Sequence, residues 1–101
     1  MYGLHGRMIS IPGRRDELLG HLLHAADLLG EVEGCYLYIV SSAADDPDGI
    51  WVTEIWRSQE DHQASLTLDA IRSLIASARP LIAGFADRSE FTPHGGKGLP
   101  V

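Results

Sequence analysis

The spacing of apolar positions changes character along the chain, and each change marks an element. From Tyr2 to Ile11 the side chains alternate as in a strand, with Tyr2, Leu4, Gly6 and Met8 on one face and Gly3, His5, Arg7 and Ile9 on the other. Apolar groups stand on both faces, so neither is expected to be fully solvated, and Pro12-Gly13 closes the segment with a turn. From Arg14 to Leu29 the period becomes helical. Leu18, Leu22, Ala25, Ala26 and Leu29 recur at three- and four-residue intervals, while Arg14, Glu17, His21 and His24 collect on another side. Asp16 and Glu17 lie in the first turn, where carboxylates complement free amides and the helix dipole, and Gly30 and Gly34 supply stops. Cys35 to Val40 is a short apolar run rich in aromatic and β-branched residues, hence a second strand. Asp45-Asp46-Pro47-Asp48-Gly49 has turn chemistry, with the glycine expected at a positive φ, and Ile50 to Arg57 forms the returning strand of a hairpin. In that strand Trp51, Thr53 and Ile55 face one way, and Val52, Glu54 and Trp56 the other.

Ser58-Gln59-Glu60-Asp61 has the form of a capping box with Asp61 in place of glutamate, which predicts a helix to about Leu66. Thr67 is expected to cap a second segment whose apolar face is Leu68, Ile71, Leu74, Ile75 and Ala78; Pro80 prevents its continuation past Arg79. Leu81 to Phe91 reads as a fourth strand, weakest at Gly84. The order is therefore β-α-β-β-α-β, the split βαβ arrangement of an α+β ferredoxin-like fold. Two helices would cover one face of a four-stranded antiparallel sheet. The bare face implies a partner, most simply a second copy across a two-fold axis, giving a dimeric α/β barrel. The domain is set at residues 1–93, with residues 94–101 as a flexible tail in a stretch that from Pro93 onward holds three glycines and two prolines.

Composition narrows the partners. A chain of 101 residues makes one core rather than two, and 45% hydrophobic residues place it outside the disordered class. Eight basic residues against fourteen acidic give a net charge of −6, which repels phosphate backbones and argues against nucleic acid. No apolar run approaches the roughly 20 residues that span a bilayer, and Met1 to Arg7 lacks the layout of a signal peptide, so a cytoplasmic protein without membrane contact is expected. The lone Cys35 cannot form an internal disulfide and stands beside no evident base, so it is not taken as a nucleophile. His21 and His24 have a spacing that metals accept but no third ligand, the Asp45–Gly49 run lacks EF-hand spacing, and Gly95-Gly96-Lys97-Gly98 lacks the Ser/Thr of a phosphate loop. No metal is expected.

Val52-Thr53-Glu54-Ile55-Trp56 followed by Ser58-Gln59-Glu60-Asp61-His62 resembles the glutamate-x-tryptophan strand and histidine-bearing helix of antibiotic biosynthesis monooxygenase domains, most of all their quinol monooxygenase group. Glu33-Gly34-Cys35, Asp45-Asp46-Pro47 and Arg79-Pro80-Leu81-Ile82 are similar to that family's turns, and the resemblance runs from about Tyr2 to Phe91. It implies a homodimer packed through its sheets, and in some members oxidation of aromatic polyketides or quinols by dioxygen with neither metal nor flavin. A related branch degrades haem with an asparagine on the first strand. This chain contains no asparagine, which argues against that branch and against a direct copy of the polyketide-oxidising site.

His62, Glu54 and Trp56 are the candidate catalytic residues. A neutral imidazole at His62 could take a proton from a quinol or anthrone hydroxyl, leaving an electron-rich anion for dioxygen; alternatively it anchors the helix or is solvated. An inward Glu54 must be paired or protonated; it is either a second base or the partner of Arg79 or Arg7. Trp56 either walls a pocket or is simply core. Tyr38, His5 and Arg79 are candidate substrate-binding groups, each with a structural role as the alternative. Two functions follow: a cofactor-independent monooxygenase acting on a quinol, anthrone or related phenol, or a non-catalytic dimer that binds a small hydrophobic ligand or serves in a stress response. They differ in whether polar groups converge inside a cavity.

Overall fold

The computed structural model describes residues 1–100, in the order β1 (Tyr2–Ser10), α1 (Arg15–Leu29), β2 (Cys35–Ser42), β3 (Gly49–Trp56), α2 (Gln59–Ser65), α3 (Asp69–Ala78), a 3₁₀ turn (Arg79–Leu81) and β4 (Ile82–Phe91). The strands form one antiparallel sheet, β2-β3-β1-β4. Register decides which residues share a face. Leu4 and Tyr38 both pair with Glu54, and Tyr2 and Cys35 both pair with Trp56; these rows lie under the helices. His5, Thr53 and Ile39 form a row on the opposite, open face, as do Gly3, Ile55 and Leu37.

Two apolar clusters hold the layers together. Leu18 and Leu22 of α1 meet Ile50, Ala78 and Leu81 at one end, and Leu29 meets Trp56 and Ile71 at the other. Trp56, Leu18 and Ile50 have no exposed surface. The three- and four-residue spacing in α1 thus serves both clusters from one helix face.

Several expectations are corrected. The helical stretch after Ser58 does divide in two, but Thr67 does not cap the second part: its hydroxyl donates back to the Ala64 carbonyl, and the N-cap is Leu68, in extended conformation. Gly49 does not adopt a positive φ; it is needed because a Cβ would come within 3.0 Å of that of Ala43. β4 runs unbroken through Gly84, and its irregularity falls instead at Asp87, whose φ is +54°. Two residues there, Asp87 and Arg88, stand opposite Gly6, between the Arg7–Ala86 and His5–Ser89 pairs. This is a β-bulge, and the aspartate is held by an ion pair to Arg7. A second irregularity, at Tyr36, makes Cys35 rather than Tyr36 the neighbour of Trp56.

Ser58 opens α2 as expected, its Oγ accepting from the Asp61 amide at 3.1 Å and donating to Asp61 Oδ2 at 3.0 Å. Arg57 Nε also donates to Asp61, at 2.7 Å, and the Arg57 amide donates to the carbonyl of Gly34. Gly34 is buried against this corner, and a Cβ there would lie 2.7 Å from Asp61 Cγ. Beyond Phe91 the described residues form no helix or strand. No helix among them is long and apolar enough to cross a membrane.

Candidate active site

Between the helices and the sheet lies a cavity of about 260 Å³, walled mainly by α1, α3 and the inner row of the sheet. Its floor carries Glu54 and Trp56, and α2 presents His62 to the same space. Period-two alternation puts Glu54 and Trp56 on one face of β3, and the Ser58 cap sets the turn from which His62 projects. The Trp56 indole N–H donates to Glu54 Oε1 at 3.0 Å. His62 Nε2 lies 3.8 Å from the same oxygen, and its ring meets the Trp56 indole edge-on with centroids 5.3 Å apart. The indole and the imidazole therefore converge on one oxygen of the Glu54 carboxylate.

Burial sets the protonation of this group. Desolvation pushes the Glu54 carboxyl above its usual range, and the indole hydrogen bond and the charge of Arg88 only partly oppose it. His62 moves the other way: burial, then the nearby Arg88 cation, lowers it below the ordinary imidazole value, with Glu90 working against both. The result is a neutral imidazole at neutral pH beside a carboxylate that ionises reluctantly, which is the pairing a proton abstraction needs. Tyr38 borders the same cavity, its phenol pushed well up by burial and then by Glu54, so it remains a hydrogen-bond donor.

Two other expected site residues stand outside this cavity, although His5 borders the hollow that adjoins it. The His5 side chain is on the open face, stacked on Trp51 with centroids 4.7 Å apart and bonded through Nδ1 to Thr53 Oγ1 at 2.8 Å. Arg79 is exposed at the end of α3, beside a separate groove with Ile75, Ile82 and Phe85. Neither arginine proposed as the partner of Glu54 reaches it, since Arg7 stands over Trp51 on the open face and pairs with Asp87, Asp45 and Asp46. Cys35 is half-buried, its thiol pushed up to about 11, and so is no nucleophile at neutral pH. Among the described residues no group of three or more His, Cys, Asp or Glu could hold a metal ion.

Three residues that border or support the site were not anticipated. Tyr2 lies against His62, with ring centroids 5.8 Å apart. Phe85 borders the cavity yet is 70% exposed, so it stands at the open side. Arg88 lines a second hollow of about 180 Å³ that shares Met8, Tyr38, Glu54 and Phe85 with the first. Aromatic residues at both ends of the sheet were the only signal for the first two, and nothing in the sequence marks Arg88.

The family model for antibiotic biosynthesis monooxygenases matches residues 1–77. The chain belongs to that family. Among solved structures, a Chloroflexus aurantiacus protein provisionally named an antibiotic biosynthesis monooxygenase is similar at 44% identity, with a TM-score of 0.89 and 97% of each chain covered. A Deinococcus radiodurans protein of the same provisional name shares 22% identity over 95% of each chain, with a TM-score of 0.80. One from Nitrosomonas europaea shares 12%, with a TM-score of 0.84 over 94% of this chain and all of that one; these last two likenesses concern the fold alone. No curated protein matches. For this antibiotic biosynthesis monooxygenase domain, the matched region contains Glu54, Trp56 and His62 but ends before β4, so Phe85 and Arg88 belong to the part of the cavity wall that the family model does not cover.

Proposed function

We propose that the protein is a cytoplasmic monooxygenase that oxidises a quinol, anthrone or related electron-rich phenol with dioxygen, using neither metal nor flavin, as a homodimer joined through the open sheet face. The observation that carries this reading is the convergence of the His62 imidazole and the Trp56 N–H on one oxygen of Glu54 in the wall of an apolar cavity. In the proposed reaction His62 takes the phenolic proton, Glu54 steadies the imidazolium that forms, and Trp56 with Tyr38 holds the ring. The apolar walls desolvate the anion, raising its reactivity toward dioxygen. For a quinol the balance is one dioxygen consumed, one oxygen atom bonded to a ring carbon, and the other released as water with the two hydroxyl hydrogens; the product is a hydroxyquinone. Ile39, 49% exposed, with Leu37 and Ile55 beside it, supplies the apolar surface that a second copy would cover.

Oxygen uptake by metal-free, flavin-free protein given 1,4-naphthohydroquinone or anthrone tests the reading. Uptake is expected, reduced about 10²-fold or more by His62→Ala and less by Trp56→Phe, which keeps the wall but removes the N–H. Equal rates in the wild type and both variants would eliminate this site. Binding without uptake for any substrate would make the protein a small-ligand binder instead.

A further inference from the structure

The cavity continues from its apolar half under the helices into the smaller hollow lined by Arg88. That arginine is there because of the bulge. Ala86 pairs with Arg7 and so shares the open face; two residues further along a regular strand, Arg88 would share it too. The extra residue turns it over, so that its Cα and Cβ lie over Gly6, on the side of Leu4 and Met8. The turn requires Asp87 at a positive φ, a conformation that few residues other than glycine, asparagine and aspartate adopt. Arg7, pinned over Trp51, supplies the ion pair that holds Asp87 there. Pairing Arg88 with Glu90, its only ion-pair partner among the described residues, at 3.0 Å, needs none of this construction, because both side chains are largely exposed on the sheet edge.

Among the described residues Arg88 is also the one cation bordering either hollow that can accept a ligand anion. Arg7 touches the smaller hollow but is committed to three aspartates. Arg88 is paired with Glu90, whose half-exposed side chain can give way, with the Tyr2 phenol also beside it, and its field reaches both Glu54 and His62. A guanidinium offers paired donors that match a carboxylate, and an arginine beside an apolar hollow reads a ring that carries one.

We propose that Arg88 is a specificity residue for a hydroxyaromatic carboxylic acid, its guanidinium pairing with the substrate carboxylate in the smaller hollow while the ring, with its hydroxyl, occupies the larger one against His62. This deepens the oxidation reading and names its substrate class, but it concerns binding and is tested without turnover. Calorimetric titration with 6-hydroxy-2-naphthoate and with 2-naphthol, which differ only in the carboxylate, separates the two. The wild type is expected to bind the acid at least about tenfold more tightly. Arg88→Ala should abolish that preference and leave 2-naphthol affinity unchanged, and Arg88→Lys should restore part of it. The preference should weaken as salt rises. Equal affinity of the wild type for the two probes, no binding of either, or a preference that survives in Arg88→Ala would overturn the assignment. If the preference holds while no oxygen uptake is found with any phenol, the acid site stands and the oxidation reading falls; uptake of oxygen with naphthohydroquinone in the absence of any preference gives the reverse.

Discussion

At the scale of single residues, the proposed chemistry rests on a carboxyl that burial keeps from ionising easily. Because the folded state raises the Glu54 pKa, it favours the protonated form. The stability this gives is complete below the unfolded value and is lost as pH rises through the folded one. Glu54→Gln keeps the acceptor for the Trp56 N–H and never ionises. Its melting temperature should match the wild type near pH 4 and exceed it at pH 7, measured by thermal unfolding across that range. A gap that is constant with pH would mean that Glu54 titrates normally. His62, shifted the opposite way, loses its contribution as pH falls through its lowered value; because it lies 3.8 Å from Glu54, the two proteins are compared at the ends of the range, where either the carboxyl or the imidazole is uncharged. Glu54, Trp56 and His62 were legible in the sequence because local rules place them: a spacing of two on a strand and a cap four residues before the histidine. His5 was not, because β1 carries apolar groups on both faces and alternation alone does not say which one the helices cover.

Among the elements, β4 departs most from what a sequence pattern can express. Neither glycine nor proline marks the bulge, and the one glycine that looked weakening, Gly84, sits in regular strand. The bulge is set by a long-range partner, Arg7 on β1, whose pairing with Asp87 no local rule anticipates. Substitution at Asp87 should therefore separate backbone strain from charge. Asp87→Gly relieves the positive φ while losing an ion pair that solvent screens, whereas Asp87→Val keeps the strain and adds β-branching. In urea unfolding the valine variant should be less stable than the glycine variant by about 1–3 kcal/mol. Equal stabilities would show that the left-handed conformation is not retained. The break between α2 and α3 was readable as a break, but its cap was not, since Thr67 spends its hydroxyl on the preceding turn.

For the molecule as a whole, the order of elements and the uncovered sheet followed from periodicity, and one face of that sheet is left with Leu37, Ile39 and Ile55 in contiguous positions. Sedimentation equilibrium is expected to give twice the chain mass of 11.0 kDa, and Ile39→Asp to shift the population to monomer with the fold intact by circular dichroism. A wild type that sediments as a monomer at high micromolar concentration would remove the dimer from the proposal. The packing of Gly34 on Asp61 has a reach beyond its own loop. Asp61 precedes His62 in the chain, and its side chain is clamped between Ser58, Arg57 and the bare backbone at position 34. The aim of the imidazole is thus governed from outside the cavity, by a residue without a side chain that touches no ligand. A methyl group there is expected to displace Asp61 and with it the imidazole of His62, so in the proposed reaction the loop that ends α1 would act as a lever rather than a spacer.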